Sequence, residues 1–145
     1  KVMVKILYVC IHNSARSQMA EAFVNSLSPG KMFAQSAGLT PGKLNLVVIS
    51  VMQEIGIDLS GNLTKSVHGF IDRKEIFDYV VTVCDAASAE RCPNFPGKAK
   101  RLHWGFEDPS SISGSDEEKL VKTRMIRDQI QFKVKQWIES VNSLR

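Results

Sequence analysis

The chain has 145 residues, 43% hydrophobic and 23% charged. That is the make-up of a soluble globular protein, with length for one domain and a substantial core. Nineteen Lys and Arg against fifteen Asp and Glu leave a formal net charge of +4, spread along the chain apart from Lys98, Lys100 and Arg101; without a basic, aromatic-laced face this speaks against nucleic-acid binding and for mild steering of small anions.

No apolar run approaches the ~20 residues of a membrane span, and the start lacks a secretory pattern. A cytoplasmic location with no membrane partner is therefore expected. The three cysteines, Cys10, Cys84 and Cys92, are too few and odd in number for a disulfide framework. They leave metal binding, redox chemistry or plain buried thiols.

Taken in chain order, Val2–Val9 is an apolar run that predicts a strand buried on both faces. The loop Cys10-Ile11-His12-Asn13-Ser14-Ala15-Arg16-Ser17 follows and opens an amphipathic helix with Ala20, Phe23, Val24 and Leu27 on its inner face. Ser28-Pro29-Gly30 stops that helix. Met32–Ala37 predicts a second strand, closed by Gly38. Leu44, Val47, Val48, Val51, Met52 and Ile55 have helical spacing, with Gly56 as the terminating residue. Asp58–Val67 reads as loop leading towards a short helix.

Ile76–Val83 is β-branched and aromatic and predicts a strand ending at Cys84. Cys84 to Cys92 carries residues suited to a helical turn or a loop. Lys100–Trp104 predicts a last strand, and Gly105–Ser110 a turn. Ser115-Asp116-Glu117-Glu118 has the spacing of a capping box. The final helix reaches about Val141, with Ile126, Ile130, Val134, Trp137, Ile138 and Val141 inward. No repeat or linker interrupts residues 1–145, so a single domain is expected.

Strands alternating with helices predict an α/β three-layer sandwich: a central four-stranded parallel sheet flanked by helices. Ligands of such sheets sit beyond the carboxyl ends of the strands. Cys10, Cys84 and the Gly105–Pro109 turn all follow predicted strands, which puts them on one rim.

The Cys10–Ser17 stretch carries the chemistry. Helix-start N–H groups have no partners within the helix and, with its dipole, attract anions. A cysteine there is favoured as thiolate, Arg16 offers a planar fork to a tetrahedral oxyanion, and the Ser17 hydroxyl can donate to the sulfur. Ile11, His12, Asn13, Ser14, Ala15, Arg16 and Ser17 are the expected oxyanion cradle. Asn13 tolerates left-handed backbone and suits a loop-shaping role. The plainer alternative makes Cys10 a core thiol and Asp108-Pro109 an ordinary turn. No Gly-rich nucleotide loop and no paired Cys or His metal spacing is present, so neither cofactor nor metal is expected.

Cys10 through Ala22 resembles the start of the thioredoxin-coupled arsenate reductases, which share the fold of the low-molecular-weight protein tyrosine phosphatases. Ser36-Ala37-Gly38, Val81-Thr82-Val83-Cys84, Cys92-Pro93 and His103-Trp104-Gly105-Phe106-Glu107-Asp108-Pro109 extend the resemblance over nearly the whole chain. The resemblance implies arsenate as substrate, with phosphate or sulfate as competing anions, and a monomer. It assigns Cys10 as nucleophile, Arg16 as oxyanion holder and Asp108 as general acid. It further implies a disulfide relay from Cys10–Cys84 to Cys84–Cys92, recycled by thioredoxin, in arsenic detoxification.

Three features depart from the family pattern. His12 stands where Gly is frequent, Ala15 where another Cys is frequent, and seven residues separate Cys84 from Cys92, one more than in better-known members. Some members hold potassium at positions matching Asn13, Glu21 and Ser36, but the further acidic ligand has no clear match near Lys65-Ser66. The alternative function is a phosphatase that uses Cys10, Arg16 and Asp108 alone to hydrolyse phosphate monoesters through a phosphoenzyme. Ser110 and Ser111 follow Asp108-Pro109 where such phosphatases carry aromatic residues.

Overall fold

The computed structural model describes residues 3–84 and 95–144. β1 (Val4–Cys10) is flanked by β2 (Met32–Gly38) on one side and β3 (Tyr79–Thr82) on the other; β4 (Lys100–His103) completes the order β2-β1-β3-β4. Every pairing is parallel, so all four carboxyl ends lie on one rim.

Ile6 through Cys10 are buried without a break because both faces of β1 are covered. Alternation sends Ile6, Tyr8 and Cys10 into one cluster with Met19 and Phe23 of α1 (Arg16–Leu27), Val48 and Met52 of α2 (Leu46–Gln53), and Ile130 and Val134 of α4 (Asp116–Ser143). Leu7 and Val9 point the other way, against Val67 and Phe70 of α3 (Val67–Asp72) with Phe77, Val80 and Phe95. These two clusters make the three layers. Ile130 and Val134 are wholly buried, and each such side chain contributes about 1.5–3 kcal/mol by leaving water.

Helix ends follow local chemistry. Asn45 caps α2, its side chain accepting from Val47 and Val48 N–H; this sets the helix start past Leu44. Gly56, at φ +83°, ends the following turn. Ser115 and Glu118 form the reciprocal capping box at α4.

The differences from expectation are local. β3 is shorter than the apolar run: Asp78 spends its carboxylate on the Lys5 amide at 2.8 Å, and Ile76 is 77% exposed. Leu27 falls in the last turn of α1 and is exposed rather than packed. Pro109–Ser111 forms a single 3₁₀ turn. Among the described residues no helix is long and apolar enough to cross a membrane.

Candidate active site

β1 ends at Cys10 and α1 begins at Arg16, so residues 11–15 turn between them on the carboxyl rim. The carbonyls of Cys10 through Ser14 each accept a hydrogen bond from a residue beyond the turn. Cys10 O accepts from Leu39 N (3.1 Å), Ile11 O from Thr40 N (2.7 Å), His12 O from Gly42 N (3.0 Å) and Ser14 O from Asn45 N (2.9 Å). Asn13 O accepts from Gln18 Nε2 at 3.2 Å. A trans peptide points its N–H opposite to its C=O. Turning five successive carbonyls outward therefore turns the N–H groups of residues 11–15 inward, as an anion-binding concavity.

Asn13 makes this turn at φ +55°, a left-handed conformation that Asn enters more easily than most residues. Ala15 occupies the cap position of α1 and supplies no side-chain cap. The first-turn donors are thus left for a ligand.

The Cys10 side chain is 2% exposed yet its sulfur has polar neighbours. Asn13 N–H donates to Sγ at 3.0 Å, and Ser17 Oγ lies 2.9 Å from it. Asn13 Nδ2 donates to the same Ser17 Oγ at 2.8 Å. A plain core thiol has no such company.

Arg16 is 5% exposed. One of its terminal nitrogens donates to Phe106 O at 3.1 Å, and the other lies 3.6 Å from Asp108 Oδ2. Its Nε is buried with no partner among the described residues, which suits it to a bound oxyanion. Asp108 caps the 3₁₀ turn, accepting from Ser110 N at 2.9 Å. The turn and the acid thus share one residue. Asn45 Nδ2 bonds Ser110 Oγ at 2.9 Å, tying that turn to the start of α2.

Cys84 follows β3 and is fully buried. Val83 N donates to Val9 O at 3.0 Å, which places Val83 beside Cys10 on strands about 5 Å apart and Cys84 one residue further. Cys10, Arg16, Ser17, Cys84 and Asp108 therefore gather on the rim. Cys92 lies outside the described residues.

Residues 5–144 match the family described as low molecular weight phosphotyrosine protein phosphatase. A protein from Shouchella clausii named arsenate reductase is 39% identical over 94% of this chain and 96% of its own. The chain belongs to this family, on its arsenate reductase branch. A Synechocystis protein named glutaredoxin arsenate reductase is 31% identical over 97% of this chain and 100% of its own. Among solved structures, an arsenate reductase in the oxidized state is 30% identical with a TM-score of 0.79, covering 96% of this chain and 99% of its own. Another, in the phosphate binding state, is 29% identical with a TM-score of 0.75, covering 95% and 98%.

The departures from the family pattern have local accommodations. His12 is exposed and holds no left-handed backbone, so the position demands no glycine. Its Nδ1–H donates to Thr40 O at 2.8 Å, which fixes the ring at the mouth. Glu21 accepts from Ser36 Oγ at 2.7 Å and faces Lys65 Nζ at 3.8 Å. Burial pushes its carboxyl up from the ordinary glutamate range, against the opposing pull of Ser36 and Lys65. Asn13 Oδ1 already accepts from Gln18 and from Lys65 N, filling both lone pairs. With an ammonium beside Glu21 and no lone pair left on Asn13, these residues do not fit a bound potassium ion.

Sequence reasoning missed two features. Gln18 is a wholly buried amide on α1; a polar residue amid an apolar helix face was the available signal. Gly38 ends its strand as read, but its close approach to the loop was missed. A Cβ there would lie 2.8 Å from Asn13 N, His12 C and Ile11 O.

Proposed function

We propose that this chain reduces arsenate to arsenite through Cys10, with Cys84 and Cys92 carrying the electrons. The observation that supports this most is the setting of the Cys10 sulfur, with the Asn13 amide donating to it and Ser17 Oγ 2.9 Å away, beneath a loop of inward amides. An amide and a hydroxyl against the sulfur orient it as a nucleophile, and amides above it hold a tetrahedral oxyanion.

Cys10 thiolate attacks arsenic. A sulfur–arsenic bond forms, and an arsenic–oxygen bond breaks as Asp108 protonates the leaving oxygen. Arg16 and the loop amides hold the charge on the remaining oxygens. Cys84 thiolate then attacks the Cys10 sulfur. The sulfur–arsenic bond breaks with its electron pair going to arsenic, which leaves as arsenite, and a Cys10–Cys84 disulfide remains. Cys92 thiolate attacks Cys84 and frees Cys10, giving a Cys84–Cys92 disulfide. A dithiol reductant supplies two electrons and reopens it. Thioredoxin is our assignment for that reductant; the glutaredoxin-named relative makes glutaredoxin the competing one.

The second reading, phosphate-ester hydrolysis, draws on the phosphatase family match. Against it, Ser110 bonds Asn45 and Ser111 Oγ reaches Asp108 Oδ2 at 3.4 Å. Hydroxyls folded back in this way give a phenol no ring to stack on.

Arsenate-dependent NADPH oxidation through thioredoxin reductase and thioredoxin tests the reading. Wild type turns over continuously, and Cys92→Ser stalls after one cycle. Full steady-state activity in Cys92→Ser refutes the relay. Turnover with glutaredoxin alone refutes only the choice of reductant.

A further inference from the structure

We propose that Gln18, with Asn62 behind it, is a positioning residue that fixes the direction of hydrogen bonding at the Cys10 sulfur. This rests on the reading of Cys10 as nucleophile. Gln18 Nε2 faces three oxygens: Asn13 O at 3.2 Å, Asn13 Oδ1 at 3.1 Å and Leu63 O at 3.0 Å. Its Oε1 accepts from Asn62 Nδ2 at 3.0 Å. An amide oxygen turned towards three oxygens is repelled, so the Gln18 amide has one allowed orientation.

That orientation propagates. Asn13 Oδ1 receives Gln18 and the Lys65 main-chain N–H at 2.9 Å, which commits the Asn13 amide as well. Its Nδ2 must then donate to Ser17 Oγ at 2.8 Å. The Ser17 oxygen is thereby an acceptor, and with a deprotonated sulfur 2.9 Å away its single proton goes to Cys10 Sγ. Gln18 also pins the 62–65 segment through Leu63 O, which holds the Lys65 amide where Asn13 needs it. The chain of donation runs from Asn62 through Gln18, Asn13 and Ser17 to sulfur. Gln18 is wholly buried, and a buried amide with all its partners met rigidifies the group it serves.

Asn62→Asp breaks the first link. A carboxylate there removes the donor to Gln18 Oε1 and leaves the Gln18 amide with oxygen on both sides, which loosens its hold on Leu63 O and Asn13 Oδ1 and with it the direction of the Ser17 proton. Asn62 is half-buried, so this variant and Asn62→Ala retain the core. The experiment is the pH dependence of Cys10 alkylation by iodoacetamide, with Cys84→Ser and Cys92→Ser in every protein so that one thiol reacts. No arsenate is needed, so the result stands apart from the reductase reading.

Asn62→Asp is expected to move the alkylation midpoint to higher pH, with roughly tenfold slower reaction below it. Asn62→Ala shifts it less, and Gln18→Met at least as far as Asn62→Asp. An alkylation midpoint in Asn62→Asp equal to the parent's overturns the proposal, whether or not Gln18→Met folds.

Discussion

A methyl group at position 38 tests how tightly the sheet edge holds the anion loop. Gly38 ends β2 beside Cys10 in register, and its amide donates to Lys65 O at 2.8 Å. A Cβ would meet three loop backbone atoms at 2.8 Å, about 0.6 Å inside ordinary contact. None of the three is a side-chain tip that can swing aside. Overpacking of this kind costs about 1–3 kcal/mol, and the backbone contacts place Gly38→Ala at the upper end. Unfolding entropy scales at about 2.1 cal/mol/K per residue, so about 3 kcal/mol lowers Tm by about 10 °C. The alternative to unfolding is a loop pushed outward by some tenths of an ångström. Misplacement on that scale lowers kcat/KM by about tenfold or more. Thermal melts and arsenate turnover of Gly38→Ala check both. A variant with wild-type Tm and wild-type kcat/KM refutes the close-approach reasoning.

Glu21 and Asp108 give the remaining predictions. Because burial raises the Glu21 carboxyl pKa on folding, the folded state binds that proton more tightly than the unfolded chain does. The resulting stability is complete below the ordinary glutamate range and is lost as pH rises through the raised value. Glu21→Gln cannot titrate there, so its urea midpoint should gain on wild type as pH rises above the ordinary glutamate range. Midpoints that stay parallel contradict this. Asp108→Asn keeps a side chain able to cap the 3₁₀ turn but cannot protonate a leaving oxygen. It should melt near wild type while kcat falls by about 10²–10⁴; near-normal turnover excludes the acid role.

The parts of this molecule that announce themselves in the sequence are those with short-range signals. The β1 run, the cysteine-to-arginine loop and the Ser115–Glu118 box each combine local pattern with local chemistry, and each appears where the pattern places it. The edges of β3 were less legible, because Ile76 and Phe77 look like strand while the Asp78 side chain takes the Lys5 amide instead. Asp108 both caps the 3₁₀ turn and stands beside Arg16, whereas the sequence set an ordinary turn against a general acid as rivals. The Gln18 network had no periodic signature, since the bonds from Gln18 to Leu63 and Asn62 join residues 45 and 44 positions apart. Gly38 was legible as a glycine, but its reason, contact with a loop 25 to 27 residues earlier, is a property of the folded sheet.

The central claim is that electrons for the reaction come from the chain's own thiols. Fully reduced protein mixed with excess arsenate and no reductant tests it directly, by counting arsenite released and mapping disulfides by mass spectrometry. The account predicts one arsenite per chain, two thiols lost and a Cys84–Cys92 linkage. Release of no arsenite with all three thiols retained, alongside continuous hydrolysis of a phosphate ester, would contradict it.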